Sequence, residues 1–567
     1  MIRQVRDSDL KAGWIEVTTL GDFVDRAAEK WSHEAVVFPH ERATYPEFAA
    51  RTDHFAKGLL ALGVQPREKV GIFLTQGVDY LAIIFAAAKI GAIAVPINSR
   101  FKEKELGYTI KDSDMVVLFT TDDLREHVDF AELLQSTLPS LESAPSTRLD
   151  LAEVPRLRHV VLIGDDAPNG FIGQVDFDGA ATRASADELL IRRYGVSVRD
   201  TAVIMYTSGT TAAPKGAMLT HEGLLRVGVT VARTRFELTP EDRMWSALPI
   251  YHIGGVSFSF ACFAAGSTYV HTGSFVPDVA VRQLAEERCT VAIPAFETIW
   301  LAVINHPDFD PAKLDSMRVV FNLGVPERLR QMQARLPHAV QIPGFGSTES
   351  SSFLTVGEID DTLEDRVTTC GRPLPGLDVR IFSPETGDEL PPGELGEIVY
   401  RGWSTFIGYY NDPIRTAETI DDEGFFHSGD LGTMDEEGRL RFVTRLKDMM
   451  KVGGENVAAA EVEGFLLGHP DILLAQVVGA PDARYSEVPA AFVQLKEGAS
   501  LEEQEIIDFC LGKIATFKVP RYVRFVDEWP MSGTKIKKHV LRDRIADELR
   551  EAGVTEAPRI SSQAART

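Results

Sequence analysis

Residues 69–120, KVGIFLTQGVDYLAIIFAAAKIGAIAVPINSRFKEKELGYTIKDSDMVVLFT, decide the fold class. Three short strand-like runs, VGIFL, AIAVPI and MVVLFT, alternate with two helical patterns, one centred on Ile83 and a charged one from Lys102. Such alternation predicts crossover units, in which helices cover a parallel sheet. The segment Val78 to Ile90 is apolar on nearly every face yet too short to cross a bilayer, which predicts a core helix. The strand rhythm returns at His159 (HVVLIG), Ala202 (AVIMYT), Thr290 (TVAIP) and Met317 (MRVVFNLG), so the body is expected to be α/β with more than one sheet. Ser136 to Pro155 is rich in Ser and Pro and reads as a surface connection. From Gly376 the short strands and turns look antiparallel or barrel-like. A third region begins near Asp448, with one helical pattern (AAAEVEGFLLGH) and two strand runs (LLAQVVGA, AAFVQL). The tail from Glu551 has no periodicity and reads as frayed.

The 567 residues include 59 Lys and Arg against 83 Asp and Glu, a net charge of −24. Binding to a nucleic-acid polymer needs a basic face, and this balance argues against it. Length and a 44% hydrophobic composition predict two or more globular domains. The four cysteines lie far apart with no CxxC spacing, which suits a reducing compartment and neither a disulfide framework nor a Cys-rich zinc site. Met1 to Gly13 has no apolar core of a signal peptide, so a cytoplasmic location is expected. Residues 244–277 carry no charge and are long enough to span a bilayer, but Pro249, Gly254, Gly255, Gly266 and Gly273 interrupt them. A buried helix beside an apolar cavity is the reading adopted, with no transmembrane segment.

Chemistry enters at Tyr206 to Gly216, YTSGTTAAPKG, after a predicted strand and before a helix starting near His221. Backbone N–H groups and hydroxyls in this density can converge on an anion, and Lys215 adds a charge at the end of the loop. It is not a Walker A loop, because the G-x-x-x-x-G-K-[ST] order is absent. Taken alone, it could equally be a flexible polar loop. Other segments follow in order: Gly324-Val325-Pro326, Gly344-Phe345-Gly346-Ser347-Thr348-Glu349, His427-Ser428-Gly429-Asp430, Arg445-Leu446-Lys447-Asp448, Gly453-Gly454-Glu455-Asn456 and Pro530 to Arg542. Individually these too have ordinary readings. Asp430 could be a turn residue, Glu349 a carboxylate at a helix start, His252 a core histidine, and Lys535 to Arg544 a solvated basic face.

Together the motifs, from Thr44-Tyr45 to Arg542, closely resemble the adenylate-forming superfamily of acyl-CoA synthetases, peptide-synthetase adenylation domains and luciferases. The resemblance implies an N-terminal body over 1–446, a mobile α+β lid over 447–550 hinged at Lys447, and a disordered tail over 551–567. It implies that Thr207, Ser208, Gly209, Thr210, Thr211 and Lys215 bind the triphosphate of ATP. Thr348 would contact phosphate and Glu349 would hold Mg2+, a hard cation suited to carboxylate and phosphate oxygens. Gly324, Val325 and Pro326 would lie along the adenine, with Phe345 stacking on it in the segment Gly344, Gly346 and Ser347. Asp430 would accept hydrogen bonds from the ribose hydroxyls, with Arg445 beside it. Lys535 would reach the α-phosphate and the substrate carboxylate, and His252 would sit between the acyl and thiol approaches. After the lid rotates, Gly453, Gly454 and Glu455 would meet the pantetheine arm of coenzyme A.

Two departures matter. Ala212 stands where many members have Gly in the phosphate loop, and Ser532-Gly533-Thr534 precede Lys535 where Gly usually comes immediately before the lysine; Ile536, Lys538, Leu541 and Arg542 restore the register. The implied activity is an ATP-dependent acid:CoA ligase acting on an apolar acid, whether fatty, aryl or polycyclic. Its partners would be the small-molecule acid, ATP and coenzyme A, with no nucleic acid, and a homodimer is compatible with the reading. The alternatives are delivery to a carrier-protein thiol, a luciferase-like oxidation after the shared first step, and a non-catalytic nucleotide-binding protein.

Overall fold

The alternating runs form strands where the sequence places them. The computed structural model describes residues 18–123, 128–207, 214–453, 455–532 and 535–559, and the side chains of 456, 532 and 535 lie outside that description. Strands β1 (Glu34–Val37) and β2 (Arg42–Thr44) come first. They are followed by β3 (Lys69–Phe73), β4 (Ile93–Pro96), β5 (Met115–Thr121), β6 (His159–Ile163) and β7 (Phe171–Gly173), then by the hairpin β8 (Thr201–Thr207) and β9 (Lys215–Thr220). β3 to β9 make a seven-stranded sheet of order β7-β6-β5-β3-β4-β8-β9, parallel except for the antiparallel last pair. A second run supplies β10 (Arg243–Ser246), β11 (Thr268–His271), β12 (Val291–Phe296), β13 (Val319–Leu323) and β14 (Val340–Ile342). With β1 and β2 these form a second seven-stranded sheet, order β14-β13-β12-β10-β11-β1-β2.

Helix α1 (Val78–Lys89) is buried at every residue but Asp79, as its nearly all-round apolar sequence predicts. Even Lys89 is enclosed, and its ammonium meets Asp25 at 2.6 Å and also Asp53, which offsets the cost of burying the charge. Helix α2 (Glu103–Asp112) is the charged pattern after Lys102. Helix α3 (His221–Thr234) packs on α4 (Ile253–Ala265). The uncharged stretch 244–277 is therefore β10, a buried helix and β11, with Phe263 of α4 stacked on Phe85 of α1 at 5.5 Å. No helix among the described residues is long and apolar enough to cross a membrane.

One expectation needs correction. The stretch Ser136–Pro155 is irregular but not a surface connection throughout, because Leu138, Leu141, Leu149, Leu151 and Val154 are buried in a core shared with β5 and β6. Ser and Pro report backbone irregularity, whereas the leucines decide which side chains leave water.

Helices α5 (Glu297–Ile304) and α6 (Pro326–Arg335) follow β12 and β13. Two small antiparallel sheets then complete the body: β15 (Gly344–Phe345), β16 (Thr355–Val356) and β17 (Arg372–Pro373) in one, and β18 (Asp378–Phe382), β19 (Gly396–Arg401), β20 (Phe426–Met434) and β21 (Leu440–Arg445) in the other. The short helix α7 (Pro413–Thr419) lies between β19 and β20. Beyond it, β22 (Met449–Val452), β23 (Glu455–Ala458), β24 (Ile472–Asp482), β25 (Ser486–Leu495) and β26 (Tyr522–Phe525) make a five-stranded sheet. Helices α8 (Ala459–Leu466) and α9 (Lys538–Glu551) contribute to its own core, which runs from Met450 to Leu549. The hairpin β27 (Met531–Ser532) and β28 (Lys535–Ile536) precedes α9. In the tail, Thr555 and Pro558 accept hydrogen bonds from Ala483 and Arg521, and Ala557 donates to Asp482.

Candidate active site

The phosphate-loop candidate spans a hairpin. Thr207 ends β8 and pairs with Lys215, the first residue of β9, so an antiparallel strand intervenes between the loop and the helix at His221. Ser208, Gly209, Thr210 and Thr211 lie outside the described residues. The far edge of β9 is lined by Gly408 to Tyr410: Met218 N–H donates to Gly408 O at 3.0 Å and Tyr410 N–H to Gly216 O at 2.8 Å. This pairing places the Tyr409 ring under the Lys215 ammonium, 5.1 Å from its centroid, a cation–π contact. The Tyr409 hydroxyl donates to Glu349 Oε1 at 2.7 Å. Burial, then the charges of Glu349, push the Tyr409 phenol far above its ordinary range, so it remains a donor. Burial and then the charge of Arg415 lower the Lys215 pKa, while Glu349 opposes them.

Glu349 sits in a strained segment. Ser351 and Ser352 have φ of +55° and +109°, a region rarely populated without glycine. A Cβ on Gly346 would fall 1.8 Å from Ser352 O, so the close approach requires glycine. The Ser347 hydroxyl lies 3.0 Å from that of Tyr400 on β19, and the Phe406 N–H donates to Glu349 O at 2.8 Å. These contacts fix the segment, including part-buried Thr348, against the small sheet. Gly344 and Phe345 form β15, and the Phe345 ring stacks on Phe442 of β21 with centroids 5.6 Å apart.

Asp430 and Arg445 are partners across β20 and β21, with Arg445 Nε 3.2 Å from Asp430 Oδ1. Asp430 is 7% exposed and Arg445 is largely exposed, so the carboxylate is held while the guanidinium stays solvated. Gly324 and Val325 leave the carboxyl end of β13, the edge where open α/β sheets bind ligands, and Pro326 opens α6. His252 immediately precedes α4, its ring 4.8 Å from that of Tyr251. Behind it, Ser257 of α4 and Ser352 share a buried hydrogen bond of 2.9 Å, and the rings of Phe258, Phe321 and Phe353 form a mutual cluster. The structure thus brings Lys215, Glu349 and the segments bearing Phe345 and Asp430 onto linked elements.

The remaining candidates belong to the C-terminal part. Lys447 is exposed in a short turn between the two cores, and its neighbour Asp448 pairs with Arg542 of α9 at 2.9 Å. Gly453 has φ +61° and its N–H donates to Tyr485 O, so it caps the β22 turn in a conformation that favours glycine. Glu455 opens β23, whereas Gly454 and the Lys535 side chain lie outside the description. Val325 packs on the C-terminal core next to Gly464. Tyr409 and Arg415 were not among the candidates, since only the pairing of Gly408–Tyr410 with β9 reveals their place.

Comparison with known proteins decides the family. The model for the AMP-binding enzyme family matches residues 23–410, and that for the AMP-binding enzyme C-terminal domain matches 461–535. The chain belongs to the AMP-binding enzyme family. A putative acyl-CoA synthetase, YngI of Bacillus subtilis (strain 168), is 35% identical over 93% of this chain and 97% of the relative. The mitochondrial medium-chain acyl-CoA ligase ACSF2 of Rattus norvegicus is 30% identical over 94% of this chain and 88% of its own length. Among solved structures, ATP-bound MatB from Rhodopseudomonas palustris superimposes with a TM-score of 0.81 at 28% identity, covering 94% of this chain and all of the other. This AMP-binding enzyme is thus a member of the ATP-dependent, acyl-adenylate-forming CoA ligases. Its α/β body with a smaller C-terminal domain is the architecture of those enzymes.

The donor set suits a magnesium ion carried in with a nucleotide. Among the described residues no three His, Cys, Asp or Glu side chains gather to cage a metal. Glu349 has one oxygen engaged by Tyr409 and is only part-buried, which fits a single carboxylate completing the shell of an ion held mainly by phosphate and water.

Proposed function

We propose that this AMP-binding enzyme joins a hydrophobic carboxylic acid to coenzyme A through an acyl-adenylate. The observation that carries the reading is the linked set Lys215, Tyr409 and Glu349 at the mouth of the phosphate loop. An acid oxygen attacks the α-phosphorus of ATP, the bond to the β-phosphate oxygen breaks, and its electron pair leaves with pyrophosphate. Glu349 would hold Mg2+, which when bound would supply positive charge to the phosphates. Lys215, Thr207, Ser208, Gly209, Thr210, Thr211 and Thr348 grip the phosphate oxygens, and Lys535 steadies the α-phosphate and the attacking carboxylate as charge accumulates. Gly324, Val325 and Pro326 face the adenine, with Phe345 backed by Phe442 and Gly344, Gly346 and Ser347 shaping the floor. Asp430, with Arg445, takes the ribose.

In the second step the thiol of coenzyme A attacks the acyl carbon and AMP departs. The domain beyond Lys447 rotates between the steps, bringing Gly453, Gly454 and Glu455 to the pantetheine arm. His252 separates the acyl and thiol approaches. Phe258, Phe321 and Phe353 favour an apolar acyl group. The name of the ACSF2 relative makes medium-chain fatty acids the first to try.

The test is pyrophosphate release and thioester formation with a panel of fatty and aryl acids. Lys535→Ala is expected to lower acid-dependent pyrophosphate release at least about a hundredfold, while transfer from a synthetic acyl-adenylate to coenzyme A survives. Adenylation without acylation of coenzyme A would move the reading to a carrier-protein thiol. Full adenylation by the variant would remove Lys535 from the mechanism.

A further inference from the structure

Asp430 does not sit on a regular stretch of strand. Along β19 and β20, Glu397 faces Leu431 and Val399 faces His427, so a single residue of β19, Ile398, stands opposite Ser428, Gly429 and Asp430. Extra residues on one strand of a pair bulge outward and re-aim a side chain. They also lose ladder partners for their amides, and here side chains supply them. The Ser428 hydroxyl donates to Ile398 O at 2.5 Å and accepts from the Asp430 N–H at 3.1 Å. The Gly429 N–H donates to Glu397 Oε1 at 2.8 Å, and Gly429 has φ +68°, a conformation that favours glycine. Gly396 pairs with Gly432 and Tyr400 with Phe426 on either side of the bulge, so the Glu397 bond fixes the bulge rather than the pairing of the strands.

Glu397 is itself held. Its side chain is 12% exposed, and its second oxygen lies 2.8 Å from His427 Nδ1. His427 Nε2 lies 3.4 Å from Asp421 Oδ2, and the other oxygen of Asp421 accepts the N–H groups of Glu423 and Phe425 in the turn before β20. Burial favours the neutral imidazole, but Glu397 and then Asp421 outweigh it and raise the His427 pKa. A line of contacts therefore runs from that turn through His427 and Glu397 to the amide next to Asp430. Arg445 reaches Asp430 from β21, but an exposed pair constrains a carboxylate weakly.

We infer that Glu397 is a positioning residue for the nucleotide: by holding the Gly429 amide it aims the Asp430 carboxylate at the ribose hydroxyls. The inference rests on the ribose reading of Asp430 and adds to it the residue through which β19 sets that carboxylate.

The experiment measures KM and kcat for acid-dependent pyrophosphate release by the full chain with ATP and with 2′,3′-dideoxy-ATP, which lacks both ribose hydroxyls. The wild-type protein is expected to prefer ATP by at least about tenfold in KM. Glu397→Ala should raise the KM for ATP about tenfold, while the KM for the dideoxy nucleotide and kcat stay within about twofold of wild type. Glu397→Asp keeps the charge but falls one methylene short of the Gly429 amide, so it should behave like Glu397→Ala, and it carries the test if the alanine variant does not fold. Glu397→Gln keeps an acceptor for that amide and can donate to His427 Nδ1, so it should return the KM for ATP to within about threefold of wild type. An equal rise in KM for both nucleotides, or an unchanged KM for ATP in the alanine and aspartate variants, overturns the inference alone. A wild-type protein that uses the two nucleotides equally well overturns the ribose reading of Asp430 and the inference together.

Discussion

The Tyr409 hydroxyl donates to Glu349 Oε1 at 2.7 Å while the same ring lies beneath the Lys215 ammonium. One side chain thus joins the proposed metal carboxylate to the cation at the end of the phosphate loop. A hydrogen bond to a charged acceptor contributes about 1.5–3 kcal/mol. Tyr409→Phe keeps the ring and removes the donor, so Glu349 loses its orientation but Lys215 keeps its cation–π partner. The expected result is an increase of about tenfold in the Mg2+ concentration for half-maximal pyrophosphate release, with the melting temperature within a few degrees of wild type. An unchanged Mg2+ requirement would show that Tyr409 only packs.

Asp430 and Arg445 stand opposite one another on β20 and β21, and only the carboxylate is buried. Replacing Asp430 by Asn leaves an exposed Arg445 that water can solvate, so little stability is at stake. A ribose hydroxyl, however, would lose a charged acceptor. Asp430→Asn is expected to raise the KM for ATP about tenfold with a melting temperature close to wild type. A KM that does not move would remove Asp430 from the nucleotide site.

What the sequence could and could not reveal follows from how local each signal is. Alternating apolar runs from Lys69 onward name their own strands, because burial on both faces of a parallel sheet demands near-continuous apolar sequence. The loop, Glu349 and Asp430 were legible as motifs with strict residue order. Leu138, Leu141, Leu149 and Leu151 were missed, because Ser and Pro neighbours disguised a packed segment as a surface one. Tyr409 and Arg415 escaped for a different reason. Their role depends on the pairing of residues 408–410 with β9, about two hundred positions upstream, and no local pattern encodes that register.

Two buried histidines should make the fold acid-sensitive. Burial holds His221 and His271 down to about 4, below the ordinary value of 6.5. The unfolded chain therefore binds more protons than the folded one between these values, so stability is complete above about pH 6.5 and declines as pH falls towards 4. Each shift corresponds to about 3 kcal/mol across that window. His221 accepts a hydrogen bond from the Leu20 N–H through Nδ1, and a glutamine carbonyl could replace that acceptor. Melting temperatures of His221→Gln and wild type are expected to converge, then cross, between pH 7.5 and 4.5. Parallel curves would assign the acid sensitivity to other groups.

Arg328 ties the body to the C-terminal domain. Its side chain is 8% exposed, and one terminal nitrogen donates to Leu473 O at 2.8 Å, across the seam where Val325 packs beside Gly464. Its Nε has no hydrogen-bond partner and lies 3.8 Å from Glu297 Oε2, which has none either. Burial, reinforced by nearby Glu463, raises the Glu297 pKa, while Arg328 opposes the shift. Removing Arg328 alone would therefore strand a buried carboxyl as well as breaking the cross-seam bond, and its effect would mix two causes. The double variant Arg328→Met with Glu297→Gln removes both charges and isolates the bond. A charged donor to a carbonyl contributes about 1.5–3 kcal/mol, so its loss should free the C-terminal domain by at least about tenfold in population. Arg445 and Lys447 lie exposed between the two cores and offer tryptic sites that report such freedom. Limited trypsin digestion is expected to cut there about tenfold faster in the double variant, with the melting temperature of the body unchanged. Cleavage at the wild-type rate would mean that the apolar contact at Val325 holds the seam without Arg328.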